Sequence, residues 1–312
     1  MDIHRHRKEG PDVTAIPAQI DSEKCTGCGL CLTVCPDDTF SLVAGRAVIT
    51  GQRCLACGHC AAVCPAGAIQ VAGLAAAPDF ASFAADQRWL PFGEGDLPQL
   101  VRLLFSRRSS RSYQERAVAR ELLEDLVRIG TSAPSGTNSQ AWTFTILPSR
   151  KAVTALGREV ARYFRRLNRL AAQPLLRNGL RIFGKPALSD YYQRYSQTIA
   201  QGLLEWEEQG RDRLFHGAPA VIIVGSGPDA SCPREDGLLA SQNILLAAHA
   251  MGLGSCLIGF AVAAMEKDPS IKAALGIPRE EVVVAVIALG YPTEPYRRLT
   301  GRKVVRPRYF LG

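Results

Sequence analysis

The chain has 312 residues, 47% of them hydrophobic and 21% charged, and a formal net charge of +8. This length predicts two domains, and no run is long and apolar enough to cross a membrane as a helix. The basic excess lies in 107–111, 158–169 and 297–308, with no helix-turn-helix, finger or RNP signature. No nucleic-acid partner is therefore expected, and an anionic ligand or an acidic partner protein accounts for the charge better.

Residues 1–19 read as an N-terminal extension. Its opening, MDIHRHRKEG, is charged and lacks the apolar stretch of a secretory leader. Two near-copies of one cysteine run follow within 20–73. The first is Cys25, Cys28, Cys31, Cys35 with Pro36 behind it, and the second is Cys54, Cys57, Cys60, Cys64 with Pro65. C-x2-C-x2-C-x3-C-P is a ligand run for a [4Fe-4S] cluster, so two copies predict two clusters. In two-cluster ferredoxins the fourth cysteine of each run serves the other cluster. Cys25, Cys28, Cys31 and Cys64 are accordingly assigned to one cluster, and Cys54, Cys57, Cys60 and Cys35 to the other. The small residues Gly27, Gly29, Ala56 and Gly58 leave room for backbone N–H groups to turn toward the sulfurs. Zinc needs four cysteines per site and neither the third cysteine at this spacing nor the trailing proline. A disulfide framework belongs to secreted chains. Reduced cysteines without a leader predict a cytoplasmic protein.

The segment resembles bacterial two-[4Fe-4S] ferredoxins, including strand-like pieces at 41–49 and 68–71. Residues 74–97, rich in Ala, Pro and Gly, read as a linker with room for one short helix.

A second domain is expected over 98–312. Helical patterning covers 98–105, 120–129 and 152–170, and a further apolar helix over 237–251 stops at Gly252. Strands are expected at 143–147, 220–224 and 281–289. Strands this few, interleaved with helices, predict an α+β domain.

Four segments of this domain carry chemistry. Ser106-Arg107-Arg108-Ser109-Ser110-Arg111-Ser112-Tyr113 offers guanidinium forks and hydroxyls suited to a phosphate. Ala133-Pro134-Ser135-Gly136-Thr137-Asn138-Ser139-Gln140-Ala141-Trp142 is a polar turn leading into a strand. Gly252-Leu253-Gly254-Ser255-Cys256-Leu257-Ile258-Gly259-Phe260 follows the apolar helix, and Gly290-Tyr291-Pro292 follows the last strand, with Arg302-Lys303 behind it.

Together these motifs, over roughly 99–307, resemble the FMN-dependent nitroreductase family, and the whole chain resembles ferredoxin–nitroreductase fusions. The resemblance implies an α+β sandwich, a mainly antiparallel sheet wrapped by helices, in a homodimer with FMN at the interface. It implies that Arg107, Arg108, Ser109 and Arg111 hold the phosphate and ribityl chain, with Arg302 and Lys303 closing from the C-terminal side. Pro134, Ser135, Gly136 and Asn138 would approach the ring, usually from the other subunit, and Leu257, Ile258 and Gly259 would lie near flavin N5. Ala141 replaces the proline common before the tryptophan, and Arg297-Arg298 competes with Arg302-Lys303 for the phosphate. The aromatic, basic stretch 158–206 corresponds to a lid.

The implied activity is reduction of a small acceptor (a nitro group, a quinone or an activated C=C bond) by hydride from flavin N5, with no protein residue assigned to the chemistry. Two low-potential clusters suggest reduced ferredoxin, flavodoxin or another electron-transfer protein as donor. The other reading is a redox-sensing or electron-relay module. Cys256 is expected to be a buried apolar cysteine near the flavin, and His216 is a candidate proton donor. Val224-Gly225-Ser226-Gly227-Pro228-Asp229 lacks the third glycine of a dinucleotide loop.

Overall fold

The computed structural model describes residues 16–74 and 78–312. Most of the N-terminal extension, residues 1–15, thus lies outside the described residues. The chain divides into two compact units at Pro78/Asp79.

The first unit is built on short strands and single-turn helices. Strand β1 (Ala18–Ile20) starts within the expected extension and pairs antiparallel with β4 (Ile69–Val71). Strands β2 (Phe40–Val43) and β3 (Arg46–Ile49) form a hairpin. Helices α1 (Leu30–Thr33) and α2 (His59–Val63) begin at Gly29 and Gly58, both left-handed, with φ 73° and 75°. The core is small: Ala18, Phe40, Ala47 and Ile69 are buried beside Cys31 and Cys60. So few apolar side chains leave much of this unit's cohesion to whatever the cysteines bind.

The second unit is a four-stranded antiparallel sheet between two helical layers. Its strands are β5 (Trp142–Leu147), β6 (Ala220–Ser226), β7 (Gly254–Leu257) and β8 (Val282–Gly290), in the order β5-β6-β8-β7. The expected mainly antiparallel sheet wrapped by helices is what forms. The central strands bury both faces, so they read as continuous apolar runs rather than as an alternation. In β6, Val221 and Ile223 face one layer while Ile222 and Val224 face the other. The first layer contains α5 (Arg150–Ala171), α10 (Gly259–Lys267) and α11 (Pro269–Ala274), and the second contains α4 (Arg120–Gly130) and α9 (Pro233–Ala250). Truncating a fully buried core side chain such as Ile222 to Ala would cost about 2–5 kcal/mol.

Between α5 and the sheet's second strand, the chain makes a helical excursion: α6 (Pro174–Ile182), α7 (Ala187–Tyr191), a π-helical turn at Tyr192–Ser196, and α8 (Gln197–Gln209). Before the sheet, α3 (Leu97–Ser106) is capped by the Asp96 carboxylate, which accepts from Gln99 N–H at 2.9 Å. It buries no residue, and Leu97, Leu100 and Leu104 stay exposed. Of the expected linker, 74–97, the described residues before Leu97, where α3 begins, contain no helix. They are fixed at one point: the Asp125 carboxylate, fully buried, accepts from Ala81 N–H (3.2 Å), Ser82 N–H (2.7 Å) and Ser82 Oγ (2.6 Å), and pairs with Arg128 (2.6 Å).

Candidate active site and cluster loops

In the first unit each cysteine run forms a loop ahead of a helical turn, and amides point at its sulfurs. Ala47 N–H donates to Cys25 Sγ (3.4 Å), Thr39 N–H to Cys35 (3.4 Å), Ala56 N–H to Cys54 (3.4 Å) and Ala68 N–H to Cys64 (3.3 Å). Of the four small residues, Gly27 and Ala56 turn an amide toward a sulfur, whereas Gly29 and Gly58 serve as helix starts. Gly27 is irreplaceable on steric grounds: at φ +72° a Cβ would sit 1.9 Å from Gly45 O. The hydrogen bonds of Ala47 and Gly27 lower the Cys25 thiol below its ordinary pKa. Burial raises the Cys31 thiol, and the nearby Cys25 and Cys28 add to that; Cys54 and Cys57 do the same to Cys60, which burial also raises. Three sulfurs of each run are thus near enough to repel as thiolates in partly dry loops. Such a set fits bound cations that neutralise it, as iron does. Among the described residues no three His, Cys, Asp or Glu side chains close round a single metal ion.

In the second unit, three of the four expected segments converge. Ser109 bridges to Ser255 and Tyr113 to Pro292, stitching 107–113 between the start of β7 and the loop after β8. Ser110 N–H donates to Ser255 O (3.0 Å), and Ser110 itself is buried. The approach requires Gly254, where a Cβ would lie 2.6 Å from Ser110 Oγ. Tyr113 Oη donates back to Ser110 O (2.8 Å), and burial pushes its phenol pKa well up.

The result is a cleft lined by Arg107, Arg108, Ser110, Gly254, Ser255 and Glu294, among others. Arg107 is half-buried and makes no ion pair or side-chain hydrogen bond among the described residues. Burial lowers its pKa, and Arg108 and Arg302 press in the same direction. Arg108 and Arg302 both reach Thr300 Oγ1. Two guanidiniums gathered round an unpaired, partly dry third make a site whose missing partner is an anion. Arg302 is therefore the C-terminal cation near Arg107; Lys303 shows no link to it. Arg111 N–H donates to Glu294 Oε1 (2.8 Å), while Glu294 Oε2 is the one buried side-chain oxygen without a partner among the described residues.

Arg111, Leu257, Ile258 and Gly259 line a different cavity, of about 1390 Å³ and open to solvent. Its wall is aromatic. Phe164 lies parallel to Tyr191 (centroids 6.4 Å apart), and Phe260 stands edge-on to both Phe164 and Tyr195. Tyr191 Oη donates to Asn168 Oδ1 at 2.5 Å, and burial pushes the Tyr191 pKa up to about 12. Phe260 comes from α10, but Phe164 comes from α5 and Tyr191 and Tyr195 from 187–196, which brings the expected lid segment to the cavity; a π-turn inside a helix often marks such a place. Cys256 lines this cavity: it is buried, as expected, with its thiol pKa raised by burial and with Arg107, Ser109 and Arg111 around it.

The fourth segment stands apart. Pro134, Ser135, Gly136 and Asn138 line neither cavity of this chain. Their turn is strained, with Thr137, Asn138 and Gln140 all at positive φ. It is held by buried Asp236, which accepts from Gly136 N–H at 2.9 Å.

A nitroreductase family model matches residues 104–291. The chain belongs to the nitroreductase family. Its first unit matches a second model, the 4Fe-4S dicluster domain, over residues 17–65. This nitroreductase-family chain is 27% identical over 199 residues to the 4-nitrobenzoate reductase of Nocardioides sp. (strain LMS-CY), covering 59% of this chain and 77% of that one. It is 28% identical over 204 residues to the NADH dehydrogenase of Thermus thermophilus, covering 64% and 91%. A solved nitroreductase from Bacteroides fragilis, described with bound FMN, shares 22% identity at a TM-score of 0.46, over 67% of this chain and 95% of that one.

Proposed function

We propose that the protein is an FMN-dependent oxidoreductase, fed with single electrons through two [4Fe-4S] clusters, that reduces a small acceptor. The observation that carries the reading is Arg107: a half-buried guanidinium without an anion, ringed by Arg108 and Arg302, in a chain that also has a 4Fe-4S dicluster domain. A flavin phosphate supplies the missing charge. Arg107, Arg108, Ser109 and Arg302 would hold that phosphate and its chain. Arg111, Leu257, Ile258 and Gly259 would border the ring, because they open on the neighbouring cavity. When bound, FMN supplies two-electron chemistry from one-electron inputs. The protein's own part is to bind and orient: cations fix one end, the Ser110–Ser255 stitching fixes the β7 edge, and the aromatic wall receives a flat acceptor.

A homodimer completes the reading. Pro134, Ser135, Gly136 and Asn138 face neither cavity of their own chain, which suits a role at the partner's site. Uncovered apolar surface is available for the interface: one side of α3, and Val304, Val305, Phe310 and Leu311 in the C-terminal tail. The open cavity favours a small-molecule acceptor over a pure electron relay.

The test is composition. Protein purified anaerobically should contain about eight irons and one FMN per chain, since each cubane holds four irons. Protein that folds with full iron yet takes up no FMN would refute the flavin site. Bound FMN without iron would refute the cluster assignment.

A further inference from the structure

Strained backbone in a cavity wall invites an explanation from function, and His216 is such a residue. His216 has φ +57°, in the left-handed region that a non-glycine residue rarely adopts. The loop around it is fixed by one carboxylate. Asp212 Oδ1 accepts from Leu214 N–H (2.9 Å) and Phe215 N–H (2.8 Å), and Oδ2 from Gly217 N–H (3.4 Å). The Asp212 side chain is 4% exposed and is paired with Arg150 at 2.8 Å. Phe215, fully buried, anchors the same loop in the core. The backbone therefore has no freedom to relax, and it puts His216 into the wall of the aromatic cavity, beside Cys256, Leu257, Ile258 and Gly259. The imidazole is half-buried and has no hydrogen-bond partner among the described residues. A core histidine would have its ring nitrogens satisfied; this one keeps them for whatever enters the cavity.

We propose that His216 is the proton donor to the acceptor, and that Asp212 is its positioning residue. This deepens the reading of the cavity as an acceptor site and rests on it. For a quinone acceptor the balance is simple. FMN, when bound, would supply the quinone with a hydride equivalent, two electrons and a proton. The N–H bond of the His216 imidazolium breaks as an O–H bond forms on the quinone, giving hydroquinone and neutral imidazole. Solvent reprotonates the ring through the open mouth of the cavity.

The surroundings suit an acid. Burial lowers the imidazole pKa below 6.5; Asp212 and Glu294 oppose the shift, and Arg111 and Arg213 reinforce it. Tyr163 on α5, Tyr191 on α7, Tyr195 in the π-turn, Cys256 on β7, and Glu266 and Lys267 on α10 complete the ionisable lining. A lowered pKa means that the imidazolium gives up its proton readily. It also fixes the sign of the pH effect: the acid form is present below the folded-state pKa and disappears as pH rises through it.

The test uses the whole protein with its cofactors. Photoreduced enzyme is mixed anaerobically with p-benzoquinone, which removes the question of the natural donor, and reoxidation is followed from pH 5 to 8. Wild type should slow as pH rises through a value below 6.5. His216→Asn, which tolerates positive φ, should lose that limb and reoxidise roughly tenfold or more slower at pH 5. A binding-independent readout is proton NMR of the histidine C2–H in flavin-free protein. The resonance missing from His216→Asn should titrate below 6.5. His216→Gln, with flavin content and circular dichroism checked, guards against a folding artefact. Equal rates and unchanged pH profiles in both variants would overturn the role of His216. A wild type that p-benzoquinone does not reoxidise would overturn the acceptor-site reading itself.

Discussion

Replacing Arg107 by Ala should move cofactor affinity and protein stability in opposite directions. Without an anion, Arg107 is a half-buried cation pressed by Arg108 and Arg302, with no ion pair among the described residues. Its burial is a cost that ligand-free protein bears, so flavin-free Arg107→Ala should melt at or above the wild-type temperature. With a phosphate present, the same guanidinium makes a charge-assisted contact worth about 1.5–3 kcal/mol. Its loss should weaken FMN binding by roughly 10- to 150-fold. Arg302 is exposed, and Arg302→Ala should cost about 1 kcal/mol or less, in keeping with solvent-exposed charge. Lys303→Ala should change little. The assay is fluorescence titration of flavin-free protein with FMN at low and high salt, alongside thermal melts of the same samples. Full FMN affinity in Arg107→Ala, or a flavin-free melt well below wild type, would refute the anion-site reasoning.

Other outcomes follow from particular contacts. Cys28→Ala should remove one cluster and lower iron from about eight to about four per chain, with FMN still bound; unchanged iron would sink the ligand assignment. Asp125→Ala should release the 81–82 segment and cost about 1.5–3 kcal/mol, because the N–H and hydroxyl donors of the exposed Ala81 and Ser82, and Arg128, lose a buried charged acceptor. Cleavage by trypsin at Arg88 should accelerate; an unchanged digestion pattern would show the tether to be idle. Burial opposes ionisation of Asp125, but hydrogen bonds from Ser82 and Ala81 and the Arg128 charge outweigh it and lower its pKa. Its stabilisation is therefore complete above the unfolded-state value of about 3.9 and fades as pH falls through the lower folded value. The gap between wild type and Asp125→Ala should hold from pH 7 to 5 and shrink below about 4. Asp236→Ala should free the strained 136–140 turn, seen as faster amide exchange there; protection at wild-type level would assign the strain to other contacts.

Much of this was legible beforehand because local chemistry dictates it. The cysteine runs carry their ligand spacing in one short stretch, and the amphipathic patterns of α4 and α5 follow from single-face burial. Strand β7 was hidden: Gly-Ser-Cys-Leu has neither alternation nor an apolar run, and it is a strand because β8 lies beside it. The fully buried β6 was visible only as an apolar run, and its division between two cores depends on helices far away in sequence. The family resemblance implies that Arg107, Arg108, Ser109 and Arg111 act together on the phosphate and ribityl chain, yet Arg107 and Arg108 line one space and Arg111 another. That split arises from the stitching of Ser109 and Ser110 to Ser255, a contact across about 145 residues, the gap between the two sequence numbers. Asp125, Asp212 and Asp236 carried no signal at all, since a buried carboxylate that gathers backbone amides looks like any surface aspartate until the chain is folded.

The proposed route of electrons to the flavin, through iron and sulfur, can be timed directly. Anaerobic protein should be mixed separately with NADH, NADPH and chemically reduced ferredoxin while iron–sulfur and flavin absorbance are followed in time. Reduced ferredoxin should bleach the clusters first and the flavin after them, and the nicotinamides should bleach neither. Rapid flavin bleaching by NADH, ahead of the clusters, would contradict it and make the clusters an exit for electrons.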